Sequence, residues 1–91
     1  MERIMNTVES EIMDIAQEEC AEVIQAISKV RRFGLTTVHK NVTNQAHLEE
    51  EIGDLMCMVE LMVEKGMVDQ VSILEAARRK RIKLEQWSNI L

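Results

Sequence analysis

Proline is absent, glycine occurs three times (Gly34, Gly53, Gly66) and the only aromatic residues are Phe33 and Trp87, in a chain of 91 residues. Proline and glycine are the residues that most often interrupt helices, so their scarcity predicts helices throughout. No useful stretch alternates apolar and polar residues with a period of two, which argues against a sheet. No apolar run approaches the roughly 20 residues needed to span a bilayer. The start, Met1-Glu2-Arg3-Ile4, does not read as a signal peptide, because acids recur through the segment that follows. Cationic excess is also missing: 11 Lys and Arg against 16 Asp and Glu leave a net charge of −5. That balance argues against nucleic acid and anionic membrane as general partners. Cys20 and Cys57 form no C-x-x-C pair, so they are expected to be small, reduced, semi-buried residues of a cytoplasmic protein.

A chain this short makes one domain, taken as residues 1–91. The first helix is expected from about Ile4 to about Arg32, near 40 Å long at 1.5 Å per residue. Lys29, Arg31 and Arg32 complement the dipole at its C-terminal end, and Gly34 is a plausible stop. Leu35 to Asn44, rich in threonine, asparagine and β-branched residues, reads as an ordered surface loop. Thr43 or Asn44 caps a second helix that runs to about Lys65 and ends at Gly66. Asp69 or Ser72 starts a third, reaching about Ser88. Gly53, costly in mid-helix, predicts a close approach there by a ligand, a backbone or a packed helix.

Acidic residues recur in a pattern that the apolar stripes make informative. The first helix carries Val8, Ile12, Ile15, Glu19, Val23, Ala26 and Val30 on one face, so Glu19 fills an aliphatic slot. The second carries Leu48, Ile52, Leu55, Val59 and Met62, with Glu51, Asp54, Met58 and Leu61 on the shoulder. Glu19 pairs with Glu22, and Glu51 with Asp54, at the i and i+3 spacing that shares a helix face. Carboxylates crowded at the edge of a core repel and lose hydration, costing on the order of several kcal/mol unless compensated. An all-oxygen set on helices suits Mg²⁺, with Mn²⁺ able to substitute, rather than zinc. His39 and His47 have no cysteine partner nearby for a zinc site. No Glu-x-x-His occurs, which sets aside a ferritin-like di-iron bundle.

Glu18-Glu19-Cys20-Ala21-Glu22 followed about thirty residues later by Glu51-Ile52-Gly53-Asp54 resembles the MazG-type all-α nucleoside triphosphate pyrophosphohydrolases. The likeness spans roughly Glu11 to Lys83. It implies Mg²⁺-dependent attack of water on the α-phosphorus of an NTP or dNTP, giving the monophosphate and pyrophosphate. Glu19, Glu22, Glu51 and Asp54 would then hold metal, and Glu18 or Glu50 would orient the water or act as base. Ile12 and Ile15 would lie against the nucleobase, and Asn44 or His47 would contact sugar or base. Lys80-x-x-Lys83 matches the lysine-bearing C-terminal helix that closes the phosphate end, although the residue after Lys83 is neither Asn nor Arg. The resemblance also implies a homodimer or a dimer of dimers. Three antiparallel helices per protomer would then form a four-helix-bundle core on dimerisation, covering an apolar stripe that one chain cannot bury. The competing expectation is a non-catalytic helical oligomerisation module with solvated acids. The position of Glu19 in the apolar stripe separates the two.

Overall fold

Asn6 begins the first ordered element. Its side chain accepts the Glu9 backbone N–H at 2.9 Å, and Glu9 Oε1 accepts the Asn6 N–H at 3.0 Å, a reciprocal capping box. The helix it starts, α1, therefore spans Thr7–Phe33 rather than beginning at Ile4. The structure is a computed structural model that describes residues 4–91. The signal-peptide reading rests largely on positions 1–3, outside the described residues. α1 ends at Gly34, whose φ of 97° is strained for any residue with a Cβ, and whose N–H closes on the Val30 carbonyl at 2.8 Å.

The segment read as a plain loop holds a small hairpin. β1 (Val38–His39) pairs antiparallel with β2 (Val42–Thr43), with Val38 opposite Thr43 and His39 opposite Val42. Lys40 and Asn41 form the two-residue turn with φ of 52° and 67°, positive at both positions as a type I′ turn requires. Strands of two residues are too short to display alternation, which is why the pattern missed them. Thr43 then caps α2 (Asn44–Glu64) by accepting the Ala46 N–H at 3.0 Å. Gly66, at φ 71°, follows its end. Asp69 caps α3 (Gln70–Trp87) through the Ser72 N–H at 2.9 Å.

α1 and α2 run antiparallel. The N-terminus of α2 is tied to the end of α1 by Asn44 N–H to Thr37 O and Gln45 N–H to Leu35 O, both 2.9 Å. At the other end, Ile12 and Ala16 of α1 meet Met58 of α2, with Leu61, Met62 and Met67 packed around them. The contact face of α2 corrects the expected one. Glu51 and Met58, placed on the shoulder by periodicity, are buried, whereas Ile52 and Met56 are exposed. α2 thus turns its acid-bearing shoulder toward α1 and leaves part of its aliphatic stripe outside.

Several apolar residues of α1 also stay exposed, among them Val8, Ile24 and Ile27. α3 has no buried residue, makes almost no close contact with α1 or α2, and carries Trp87 at 84 % exposure. The protomer measures 49 × 37 × 18 Å with a radius of gyration of 16.3 Å. A compact chain of this length would have about 12 Å. Among the described residues the architecture is therefore mostly helical, with three helices, one packed helix pair and one arm.

Two further expectations are corrected. Cys20 and Cys57 are free and exposed, not semi-buried. A Cβ on Gly53 would meet nothing within 4 Å, so no backbone of this protomer requires glycine there. Among the described residues, no helix is long and apolar enough to cross a membrane.

Candidate metal centre between the first two helices

The antiparallel pairing of α1 and α2 brings acids from the two helices together near the middle of their contact. One carboxylate oxygen from each of Glu19, Glu51 and Asp54 lies within 4.8 Å of the other two. Glu51 is 9 % exposed, Glu19 is half-buried and Asp54 is open to solvent. The three sit at one edge of the core, reached by solvent from the Asp54 side. Their spacing on α2 follows from the helix itself, since Glu51 and Asp54 are one turn apart.

Electrostatics at the cluster oppose its own ionisation. Glu19 has its pKa raised above the ordinary glutamate value, first by desolvation and then by Asp54, Glu51, Glu22 and Glu18. Among the described residues, no lysine or arginine pairs with Glu19, Glu51 or Asp54. The one basic neighbour is His47, one turn before Glu51, with Nε2 3.2 Å from Glu51 Oε1. Three convergent carboxylates with no lysine or arginine paired to them form a hard, all-oxygen donor set. They fit a divalent cation of the Mg²⁺ or Mn²⁺ type and do not fit a thiolate- or imidazole-seeking metal.

The other residues singled out by sequence are placed as follows. Glu22 is exposed one turn along α1 and stands outside the three-oxygen cluster, although its charge is felt at Glu19. Glu18 and Glu50 are exposed beside the ligand residues. Ile12 is buried in the protomer core, so its side chain is spent on Met58 and Ala16, while Ile15 remains at the surface. Asn44 is buried, and its Nδ2 donates to the Gly34 carbonyl at 2.9 Å, bracing the end of α1 against the start of α2. Lys80 and Lys83 are exposed on α3 and make no ion pair with the acids. α3 does not bring them to the cluster.

Sequence reasoning assigned Lys29 only to the dipole of α1 and gave Lys40 no role. Both border a cleft of about 230 Å³ under the hairpin, together with His39, His47 and Glu50. The available signal was the spacing of Lys29 from Glu22, seven residues and hence one helix face.

A family model for the MazG nucleotide pyrophosphohydrolase domain matches residues 7–88, nearly the whole chain. No curated protein and no solved structure matched. The paired acids, their convergence across two antiparallel helices and this match agree, and the chain belongs to the MazG nucleotide pyrophosphohydrolase family.

Proposed function

We propose that the protein is a Mg²⁺-dependent nucleoside triphosphate pyrophosphohydrolase that converts an NTP or dNTP to its monophosphate and pyrophosphate. The observation that carries this reading is the convergence of Glu19, Glu51 and Asp54 without a lysine or arginine to neutralise them. Glu22 joins them as a fourth ligand residue. A divalent cation bound there neutralises phosphate charge and makes a water molecule easier to deprotonate. The remaining chemistry belongs to the chain. A water oxygen forms a bond to the α-phosphorus, the bond from that phosphorus to the α,β-bridging oxygen breaks, and pyrophosphate leaves with the electron pair. The water proton passes to Glu18 or Glu50, which flank the ligand residues and are open to solvent. Burial of Glu51 and its contact with His47 hold that carboxylate in one orientation.

The active form in this proposal is a homodimer or a dimer of dimers. Ile52 and Met56 on α2, Ile73 and Leu74 on α3, and Trp87 are exposed and supply apolar surface for such an assembly. A second copy covers them in a four-helix core, and its α3 supplies Lys80 and Lys83 to the site. The reduced, exposed cysteines suit the cytoplasm. A purely structural oligomerisation module leaves the convergence of the three acids unexplained.

The test is pyrophosphate release from the common NTPs and dNTPs with Mg²⁺, with and without EDTA. The expected result is release of pyrophosphate that chelation abolishes. Release of orthophosphate and a nucleoside diphosphate would place attack at the γ-phosphorus and overturn the reading.

A further inference from the structure

Gly53 lowers the helix propensity of α2, yet a Cβ there would meet nothing within 4 Å. It lies on the outer face of that helix, turned away from the Met58 side that packs on α1. Glu49, Gly53 and Met56 recur at intervals of four and three residues, so they form one stripe, and all three are exposed. The stripe reads as an acid, a notch and an apolar residue in a row. Met56 continues into the open groove of about 450 Å³ that α2 shares with the first turns of α3.

α3 has the complementary surface. It holds five of the 11 cations, Arg78, Arg79, Lys80, Arg81 and Lys83, but only two of the 16 acids, Glu75 and Glu85. The helix therefore carries +3, and the other six cations and 14 acids leave −8 on the rest of the chain. Arg78, Leu74 and Val71 share one exposed face at intervals of four and three residues, read toward the start of the helix. That order and spacing match Glu49, Gly53 and Met56 when the two helices cross antiparallel. Leu74 then sits over the notch, Arg78 meets Glu49 and Val71 meets Met56. Among the described residues, neither Arg78 nor Glu49 has an ion-pair partner. Within one chain the short link of residues 65–69 holds Leu74 at the C-terminal half of α2, where it borders the groove with Val63 and Glu64. The matched register therefore needs a second copy. Resting on the homodimer of the reading above, we infer that the outer face of α2 is the docking surface for α3 of that second copy, exchanged reciprocally about a two-fold axis. Opposite charges steer the arm onto the face, and the empty space at Gly53 lets the helices approach closely.

Sedimentation equilibrium of the full chain reads the assembly, with the wild type expected at twice the 10.5 kDa chain mass. Arg78→Glu and Glu49→Arg each place like charges in contact twice per dimer and should weaken dimerisation at least about tenfold. An equimolar mixture of the two restores opposite charges at both contacts and should dimerise like the wild type. Gly53→Leu fills the notch and should also weaken dimerisation at least about tenfold. Diluted to monomer, Gly53→Leu should melt no lower than the wild type, because leucine favours helix and the protomer leaves it room. That melt separates a docking notch from a folding defect. A wild type that stays monomeric, variants that dimerise as tightly as the wild type, or a mixture that gains nothing over its components would each overturn the inference. Pyrophosphate release is measured on the same samples. A dimer restored by mixing but inactive in every form sinks the reaction proposal and leaves the arm exchange standing, whereas hydrolysis by a monomeric wild type does the reverse.

Discussion

The α1–α2 pair and α3 come from the same kind of sequence and end in opposite states. Both regions are helical, capped by Asn, Thr or Asp, and supplied with aliphatic residues. The pair buries Ile12, Ala16, Ala26 and Met58, whereas α3 buries nothing. Helix propensity and capping are local, so they form α3 regardless of its neighbours. Packing needs a partner face, and the face of α2 that α1 leaves free is apolar but barely occupied. Met56, Val59 and Val63 of α2 and Ile73 and Leu74 of α3 line an open groove of about 450 Å³. The contrast separates a region that has a core within one chain from one that has none. The acid cluster lies wholly within the packed pair.

The sharpest way to break this contrast is to remove one acid. Glu19→Ala, Glu51→Ala and Asp54→Ala should each lower turnover by more than about a hundredfold, since a lost ligand costs at least as much as a lost supporting contact. The helical circular dichroism signal should remain. Steady-state kinetics at saturating Mg²⁺ check the first point, and near-wild-type turnover in all three would leave the cluster without a catalytic role. Lys80→Ala, on the arm, should lower activity far less in dilute protein than in concentrated protein if its partner is a second copy.

Core truncation compares the same two regions by stability. Met58→Ala removes a buried side chain that touches Ile12 and Ala16, and should cost about 2–4 kcal/mol in urea unfolding. Leu74→Ala, in the exposed arm, should cost less than about 0.5 kcal/mol in a monomer. A Leu74→Ala loss that grows with protein concentration would show that the arm is buried in an assembly, and light scattering would give its size. Equal, concentration-independent losses at both positions would contradict the division into pair and arm. A smaller effect belongs to Asn6→Ala, which breaks the capping box at the start of α1 and should cost about 1 kcal/mol.

Much of this was legible in the sequence, and the failures have physical causes. The three helices, their Thr43 and Asp69 caps and the Gly34 and Gly66 stops follow from local chemistry. The i and i+3 acid pairs pointed to a metal centre because Glu19 interrupts an aliphatic stripe, and three of the four acids do converge. The start of α1 was misplaced because apolar Ile4 extends the periodicity past the cap that Asn6 and Glu9 make. The hairpin was missed because its strands are two residues long. The orientation of α2 was misread because that helix is apolar on two sides, and periodicity does not say which side meets α1. Lys29 and Lys40 escaped notice because a hairpin in three dimensions, not spacing along the chain, brings them together.

The smallest expected effect tests the electrostatics of the pair alone. In the metal-free protein, desolvation and four neighbouring acids hold the Glu19 pKa above the ordinary glutamate value. The folded chain therefore binds more protons at this site than the unfolded chain does between the two pKa values. Linkage gives the sign: the contribution to stability is fully present below the unfolded pKa and is lost as pH rises through the folded one. Melting temperatures in EDTA, measured from about pH 4 to about pH 7, should then decline more steeply for the wild type than for Glu19→Gln, whose amide does not titrate. Other groups titrate in the same window, so the difference between the two proteins is the quantity to read. Saturating Mg²⁺ should reverse the difference in slope, because it favours the ionised form and raises the melting temperature at the upper end of the window more in the wild type than in Glu19→Gln. Parallel pH profiles for the two proteins in EDTA would mean that Glu19 feels neither burial nor its neighbours, and the crowding that motivates a metal site would be absent.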